Sequence, residues 1–333
     1  MGQIAEASVN AQDTYYISWR EVIMKLLIGY DGSDYSNFAI DDLGRAGLPA
    51  NVDAVVLTVG EAWELPIVVD RVSSASEKFV HPNVAVIERH LAEVSERAGI
   101  LAAPAVERLK LAFPDWKVRA EVRCGRPAGE LVKMADEWLP DLLVMGSQGR
   151  SAIGRVLLGS VSHKVLHDTI CSVRIARKHE SVENEKVRVL VAVDGSPNAE
   201  TVVKTVAERH WPADAEIRLI AVNDPFARSR AGYVSWNMAE NKPYDTEESR
   251  EWVAKVIDAP TQTLRSAGCN VTHVMRLGDA ANMIISEASD WQANTIFLGA
   301  RGLGPIKRFV LGSVSSAVVS KATCSVEIIR AIQ

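Results

Sequence analysis

The chain has 333 residues, 47% of them hydrophobic and 24% charged, with a formal net charge of −5. That length suits two domains of about 150 residues each, and the composition is globular rather than disordered. A net negative balance gives no electrostatic case for nucleic acid, no apolar run approaches the ~18 residues of a membrane span, and four scattered cysteines without CxxC spacing make no disulfide framework.

Residues 1–23 lack a basic stretch followed by an apolar one, which predicts no secretory signal and a cytoplasmic protein. This N-terminal extension is expected to be poorly ordered or, given Tyr15, Tyr16, Ile17 and Trp19, an arm packed on the surface. Apolar runs then predict strands near 25–30, 53–59, 117–123, 141–146 and 172–176, with helices at 34–46, 85–112, 127–138 and 159–168 between them. The longest helix sets Ile87, Leu91, Val94, Ala98 and Leu101 on one face, and Pro104 is expected to bend or split it. The polar run KHESVENEK (178–186) reads as a linker. Beyond it come strands near 187–193, 216–222, 271–277, 294–299 and 325–330, and helices at 197–208, 246–266, 279–290 and 312–320. The regions 60–84 and 223–245, carrying Trp63, Phe79, Tyr233 and Trp236, are long and irregular and suit lids, partner surfaces or satellites of the core.

The second half repeats the first. MKLLIGYDGS (24–33) returns as VRVLVAVDGS (187–196), WLPDLLVMGSQG (138–149) as WQANTIFLGARG (291–302), and ICSVRIAR (170–177) as TCSVEIIR (323–330). Three matches in one order define a tandem duplication with domains at 24–177 and 187–333. Alternating strands and helices predict an α/β fold, two doubly wound domains, each a five-stranded, mostly parallel sheet with helices on both faces.

In such sheets ligands bind beyond the carboxyl ends of the strands. The first strand of each half ends in Asp31-Gly32-Ser33 or Asp194-Gly195-Ser196. The fourth ends in Gly146-Ser147-Gln148-Gly149 or Gly299-Ala300-Arg301-Gly302. Paired glycines let backbone N–H groups converge on an anion. Gly159-Ser160 and Gly312-Ser313 then open helices whose free N–H groups and dipole favour phosphate. Arg150 and Arg155, and in the second half Arg301, Lys307 and Arg308, offer positive charge at the rim. Neither a Walker A loop nor a GxGxxG strand-end motif is present, and the aspartates suit ribose hydroxyls or a metal.

With these motifs in view, each half resembles a universal stress protein domain, and the chain from about 24 to 331 resembles tandem members of that family. Its ATP signature, G-x2-G-x9-G-[ST], is matched by Gly146, Gly149, Gly159 and Ser160, and again by Gly299, Gly302, Gly312 and Ser313. The resemblance implies a Rossmann-like sheet of strand order 3-2-1-4-5 that binds ATP or another adenine nucleotide, with Mg²⁺ as an accompanying ion. It places the base at the backbone of Val59 and Val222, the ribose at Asp31 and Asp194, and the phosphates at the glycine signature with Val161 and Val314. It further implies pairing of last strands about a two-fold, either 172–176 with 325–330 inside one chain or between chains of a homodimer. Ser36 offers a hydroxyl near the nucleotide that Ala199 lacks, and Pro305 stiffens the second loop, so the first half is the preferred site.

His163 and His167 lie four apart on a helix with no third ligand in view, which favours a surface role over zinc. Cys171 and Cys324 open equivalent strands and read as packing residues rather than a redox pair. No Ser-His-Asp order, metal cluster or paired carboxylates suggest a hydrolase. The leading function is a nucleotide-binding stress-response regulator acting through a protein partner; the alternatives are a slow ATPase and an interaction scaffold that binds no nucleotide.

Overall fold

A computed structural model describes residues 23–60, 84–149, 158–178, 186–224, 234–302 and 311–331. The first half runs β1 (Met24–Gly29), α1 (Asp34–Asp42), β2 (Val52–Gly60), α2 (Val84–Ala112), β3 (Lys117–Cys124), α3 (Pro127–Trp138), β4 (Leu142–Gly146), α4 (Ser160–Asp168) and β5 (Ser172–Ala176). The second runs β6 (Arg188–Val193), α5 (Pro197–Ala207), β7 (Glu216–Asn223), β8 (Trp236–Asn237), β9 (Lys242–Pro243), α6 (Glu247–Val253), α7 (Ala259–Ser266), β10 (Asn270–Leu277), α8 (Ala280–Asp290), β11 (Thr295–Gly299), α9 (Ser313–Lys321) and β12 (Ser325–Ile329). All ten expected strands form. The β8–β9 ladder within 223–245 was not expected; its two-residue strands are too short to carry a periodic signal. The extension (1–22), most of the linker (179–185), Trp63, Phe79 and Tyr233 lie outside the described residues.

Ten strands make one sheet, in the order β10-β7-β6-β11-β12-β5-β4-β1-β2-β3. Each half keeps its five strands parallel in the order 3-2-1-4-5, and the halves join edge to edge through an antiparallel β5–β12 pairing. This is the intramolecular alternative for the last strands. Strands such as LLVMG are buried throughout because helices cover both faces. On one face a single apolar cluster runs across the junction, from Leu27 and Val173 to Val326 and Leu298. On the other face the core is split in two.

Between those two cores lies a buried ionic cluster. Arg174, on β5, is directly opposite Glu327 of β12 in the ladder, and both are fully buried. Arg174 donates to Asp42 (2.8 Å), Glu327 (3.0 Å) and the Thr295 hydroxyl (2.8 Å). Arg209 also pairs with Glu327, and the Ser325 hydroxyl donates to Asp42 at 3.0 Å. Two acids and two bases thus neutralise one another away from water, as buried charges require. Burial pulls the Arg174 guanidinium down, but Asp42 and Glu327 outweigh it and hold the group above its ordinary value.

Pro104 neither splits α2 nor ends it. The helix is continuous over 29 residues because Ala98 and Ala102 before the proline, and Ala105 and Leu109 after it, are all buried, while Pro104 faces solvent. The second half meets the same difficulty differently. A π turn (Ala254–Asp258) joins α6 to α7 just before Pro260, a widening that relieves the ring's clash with the carbonyl four residues earlier.

Candidate functional site

The β1 and β4 strands are hydrogen-bonded neighbours, so their carboxyl ends open onto one crevice. After β1, the Asp31 carboxylate accepts from the Ser33 N–H (3.0 Å), Gly32 turns with φ +77°, and Ser33 caps α1 by accepting from the Ser36 N–H (3.2 Å). The second half repeats each step: Asp194 accepts from Ser196 (3.0 Å), Gly195 has φ +72°, and Ser196 caps α5 at Ala199 (3.2 Å). One carboxylate oxygen of each aspartate is therefore fixed by its own turn.

The β4 loop packs against that turn. A Cβ on Gly146 would fall 2.7 Å from the backbone carbonyl of Tyr35, so only glycine lets α1 approach. A Cβ on Gly149 would come within 2.9 Å of Asp31 Oδ2, and one on Gly302 would overlap Asp194 Oδ2. The loop returns at Gly159, whose N–H donates to the Ser147 carbonyl (2.7 Å), and Ser160 starts α4. Ser162 ties the helix to the sheet by donating to the Gly146 carbonyl (2.9 Å). In the second half Gly312 donates to Ala300 (2.8 Å) and Ser315 to Gly299 (2.7 Å). Ser160–Val161 and Ser313–Val314 thus occupy helix starts, where backbone N–H groups have no intrahelical acceptor.

In the first half these elements enclose a cleft of about 820 Å³. Asp31, Ser36, Val59, Gly146, Gly149, Gly159, Ser160 and Val161 all line it. Its lining is mixed: Leu57, Val59, Val94, Ala98, Leu101 and Leu131 supply apolar surface, and Asp31, Gln148 and the described ends of the glycine-serine loop supply polar groups. Ser36 is 3% exposed, and its hydroxyl donates to the Ser33 carbonyl at 2.9 Å. Arg150, Arg155, Pro305, Lys307 and Arg308 lie outside the described residues.

Sequence reasoning missed the α2 wall and Thr58. The periodicity of α2 marked Val94, Ala98 and Leu101 as one face but gave no reason to set them over a cleft rather than in the core. Thr58 stands in the otherwise apolar end of VDAVVLTVG, which was the available signal.

The remaining candidates separate from this site. The His163 and His167 rings touch (centroids 4.5 Å apart), and burial together with His163 lowers the His167 pKa. Among the described residues no three His, Cys, Asp or Glu side chains gather to hold a metal. Cys171 and Cys324 are free thiols at the starts of antiparallel strands, hence at opposite ends of the β5–β12 ladder. Burial pushes them up to about 11 and about 12, respectively. No described helix is long and apolar enough to cross a membrane.

A pair of doubly wound repeats, each setting a strand-end glycine beside a strand-end aspartate, defines a tandem α/β protein with two equivalent crevices. The sequence profile of the universal stress protein family matches residues 23–177 and 187–330, and the chain belongs to that family. Universal stress protein Rv2005c of Mycobacterium tuberculosis is 26% identical over 227 residues, 64% of this chain and 69% of that one. The crystal structure of a universal stress protein from Archaeoglobus fulgidus superposes with a TM-score of 0.59 at 23% identity, covering 92% of this chain and 96% of its own. A putative universal stress protein from Pseudomonas aeruginosa does so at 0.54 and 11%, covering 93% and 94%. Both likenesses speak to the fold alone.

Proposed function

We propose that this chain binds an adenine nucleotide, ATP foremost, in the first cleft, and that the bound nucleotide regulates contacts with a protein partner. The observation that supports this most is the mixed lining of the cleft, apolar side chains together with a carboxylate and a helix start. A planar base suits the apolar side chains of Leu57, Val59, Leu101 and Leu131; ribose hydroxyls suit the Asp31 carboxylate, which lines the same cleft; phosphates suit the N–H groups from Gly149 and the start of α4. The space a side chain at Gly149 would fill is the space such a ligand needs beside Asp31.

Asp194, Val222, Gly299, Gly302, Gly312, Ser313 and Val314 form the corresponding proposed site of the second half, and residues 24–177 and 187–333 the two domains. Mg²⁺ enters this reading only as an ion carried by the phosphates, with Asp31 the nearest carboxylate. We read the role as binding rather than turnover, because no described base or second carboxylate stands in the cleft beside Asp31. A homodimer would need another surface, since β5 and β12 already pair with each other.

Ligand released from purified protein and weighed by mass spectrometry should be an adenine nucleotide. Gly149→Val, which sets a branched side chain against Asp31, should remove the nucleotide of the first cleft; unchanged stoichiometry would refute the assignment. ATP turnover with Mg²⁺ well above ~1 s⁻¹, an ordinary enzyme rate, would replace regulation by catalysis.

A further inference from the structure

The first cleft contains two polar atoms that the protein buries without a hydrogen-bond partner, Oγ1 of Thr58 and Oε1 of Gln148. Thr58 is 1% exposed, follows Leu57 and precedes Val59 on β2, and lines the cleft with both of them. A buried hydroxyl with nothing to bond carries a desolvation cost, whereas valine would fill the same volume without one. Packing alone therefore gives no reason for threonine here. A ligand that brings a complementary polar atom into an otherwise apolar slot does.

The second half shows what the position looks like without that hydroxyl. Gly29 is paired with Leu57 in the first half and Ala192 with Ile220 in the second, so the sheet register makes Ala221 the equivalent of Thr58. Ala221 is fully buried and apolar. Gln148 is likewise replaced, by Arg301, within the phosphate-side loop. The two halves thus share backbone geometry around the aspartate and glycines and differ in side chains of the crevice lining.

We infer that Thr58 is a specificity-determining residue of the first cleft, its hydroxyl hydrogen-bonding the heterocycle of the bound nucleotide, a contact the second half cannot make. This rests on the nucleotide-binding reading above. The chemistry asked of the ligand is narrow: a flat, apolar ring with a hydrogen-bonding edge atom, attached to an anionic tail. Thr58 touches the ring edge, and the loop holds the tail.

The test is ATP titration calorimetry in a Gly302→Val background, in which the second crevice is filled and only the first reports. Thr58→Val should weaken ATP binding about tenfold or more, the worth of one desolvated hydrogen bond. The same variant should melt, ligand-free, at the same temperature as its parent or higher, because it removes an unpaired buried group. Thr58→Ser, which keeps the hydroxyl, should stay within about threefold of the parent. Unchanged ATP affinity in Thr58→Val overturns the inference, as does a lower ligand-free melting temperature for that variant than for its parent, which would assign the hydroxyl to the fold. Absence of ATP binding in the Gly302→Val parent would instead remove the nucleotide reading of the first cleft, and Thr58's role with it.

Discussion

Arg174→Met tests the junction between the halves. Arg174 is fully buried and makes three hydrogen bonds, two of them to carboxylates. Methionine fills much of the same volume but leaves Asp42 and Glu327 without their shared cation. Removing one partner of a buried ion pair typically costs about 3–5 kcal/mol, because the remaining charge is stranded. Here the lower end applies. Asp42 keeps the Ser325 hydroxyl and Glu327 keeps Arg209. A loss of about 3 kcal/mol is a large share of the ~5–15 kcal/mol that holds a typical protein folded. Urea unfolding followed by tryptophan fluorescence would read it as a lower midpoint at unchanged slope. The double variant Arg174→Met/Glu327→Met removes one charge of each sign and should be milder than the single change. A single-variant loss under about 1 kcal/mol, the range of exposed pairs, or a double variant worse than the single one, would refute the claim that these charges stabilise one another.

Gly146→Ala should lower stability and disturb the first cleft together, since its Cβ meets the Tyr35 backbone rather than a movable side chain; a soluble variant with unchanged melting temperature would contradict that geometry. Cys171 and Cys324 should resist alkylation at pH 8 while Cys124 and Cys269, both partly exposed, react first, read by peptide mass spectrometry. The sign of the thiol linkage follows from the same burial. Folded values raised to about 11 and about 12, above the ordinary 9.0, favour the folded state fully below pH 9 and lose that contribution as pH climbs through them, so the stability lost between pH 8 and pH 11, read by urea unfolding at each pH, should be smaller in Cys324→Ala.

Local chemistry explains why much of the fold and of the strand-end glycine loops was legible. The alternation of apolar strands and amphipathic helices is a short-range property, as are the Asp-Gly-Ser turns and the glycine spacing, and each of these lies where its residues predict. Pairing across the chain was less accessible. Nothing in TICSVRIAR taken alone says that Arg174 is fully buried; its partners lie 132 and 153 positions away. Ser36 shows how one local spacing can serve two ends. A serine three residues after a cap looks like a ligand donor, yet that spacing also lets its hydroxyl turn back to the Ser33 carbonyl. Pro104 is a third case, where burial on both sides of the ring overrides local propensity.

The repeat offset and the ladder register together make the two halves unequal by construction. Arg174 and Glu327 are equivalent positions of the duplication, 153 residues apart, and they are also direct partners across the antiparallel pairing. Two copies of the first half joined in this register would oppose Arg174 to itself, and two copies of the second would oppose Glu327 to itself, each a buried like-charge pair. Only the mixed pairing neutralises the junction. Side chains at the crevices diverge in the same sense. Gly60, tight against Val94, corresponds to Asn223, whose amide both donates to and accepts from the Val234 backbone (2.7 and 3.2 Å). A covalent link that supplies one fixed partner removes the need for self-complementary surfaces, so each half is free to specialise. The buried hydroxyl of Thr58, at a position where the second half has the methyl of Ala221, is a further divergence of this kind.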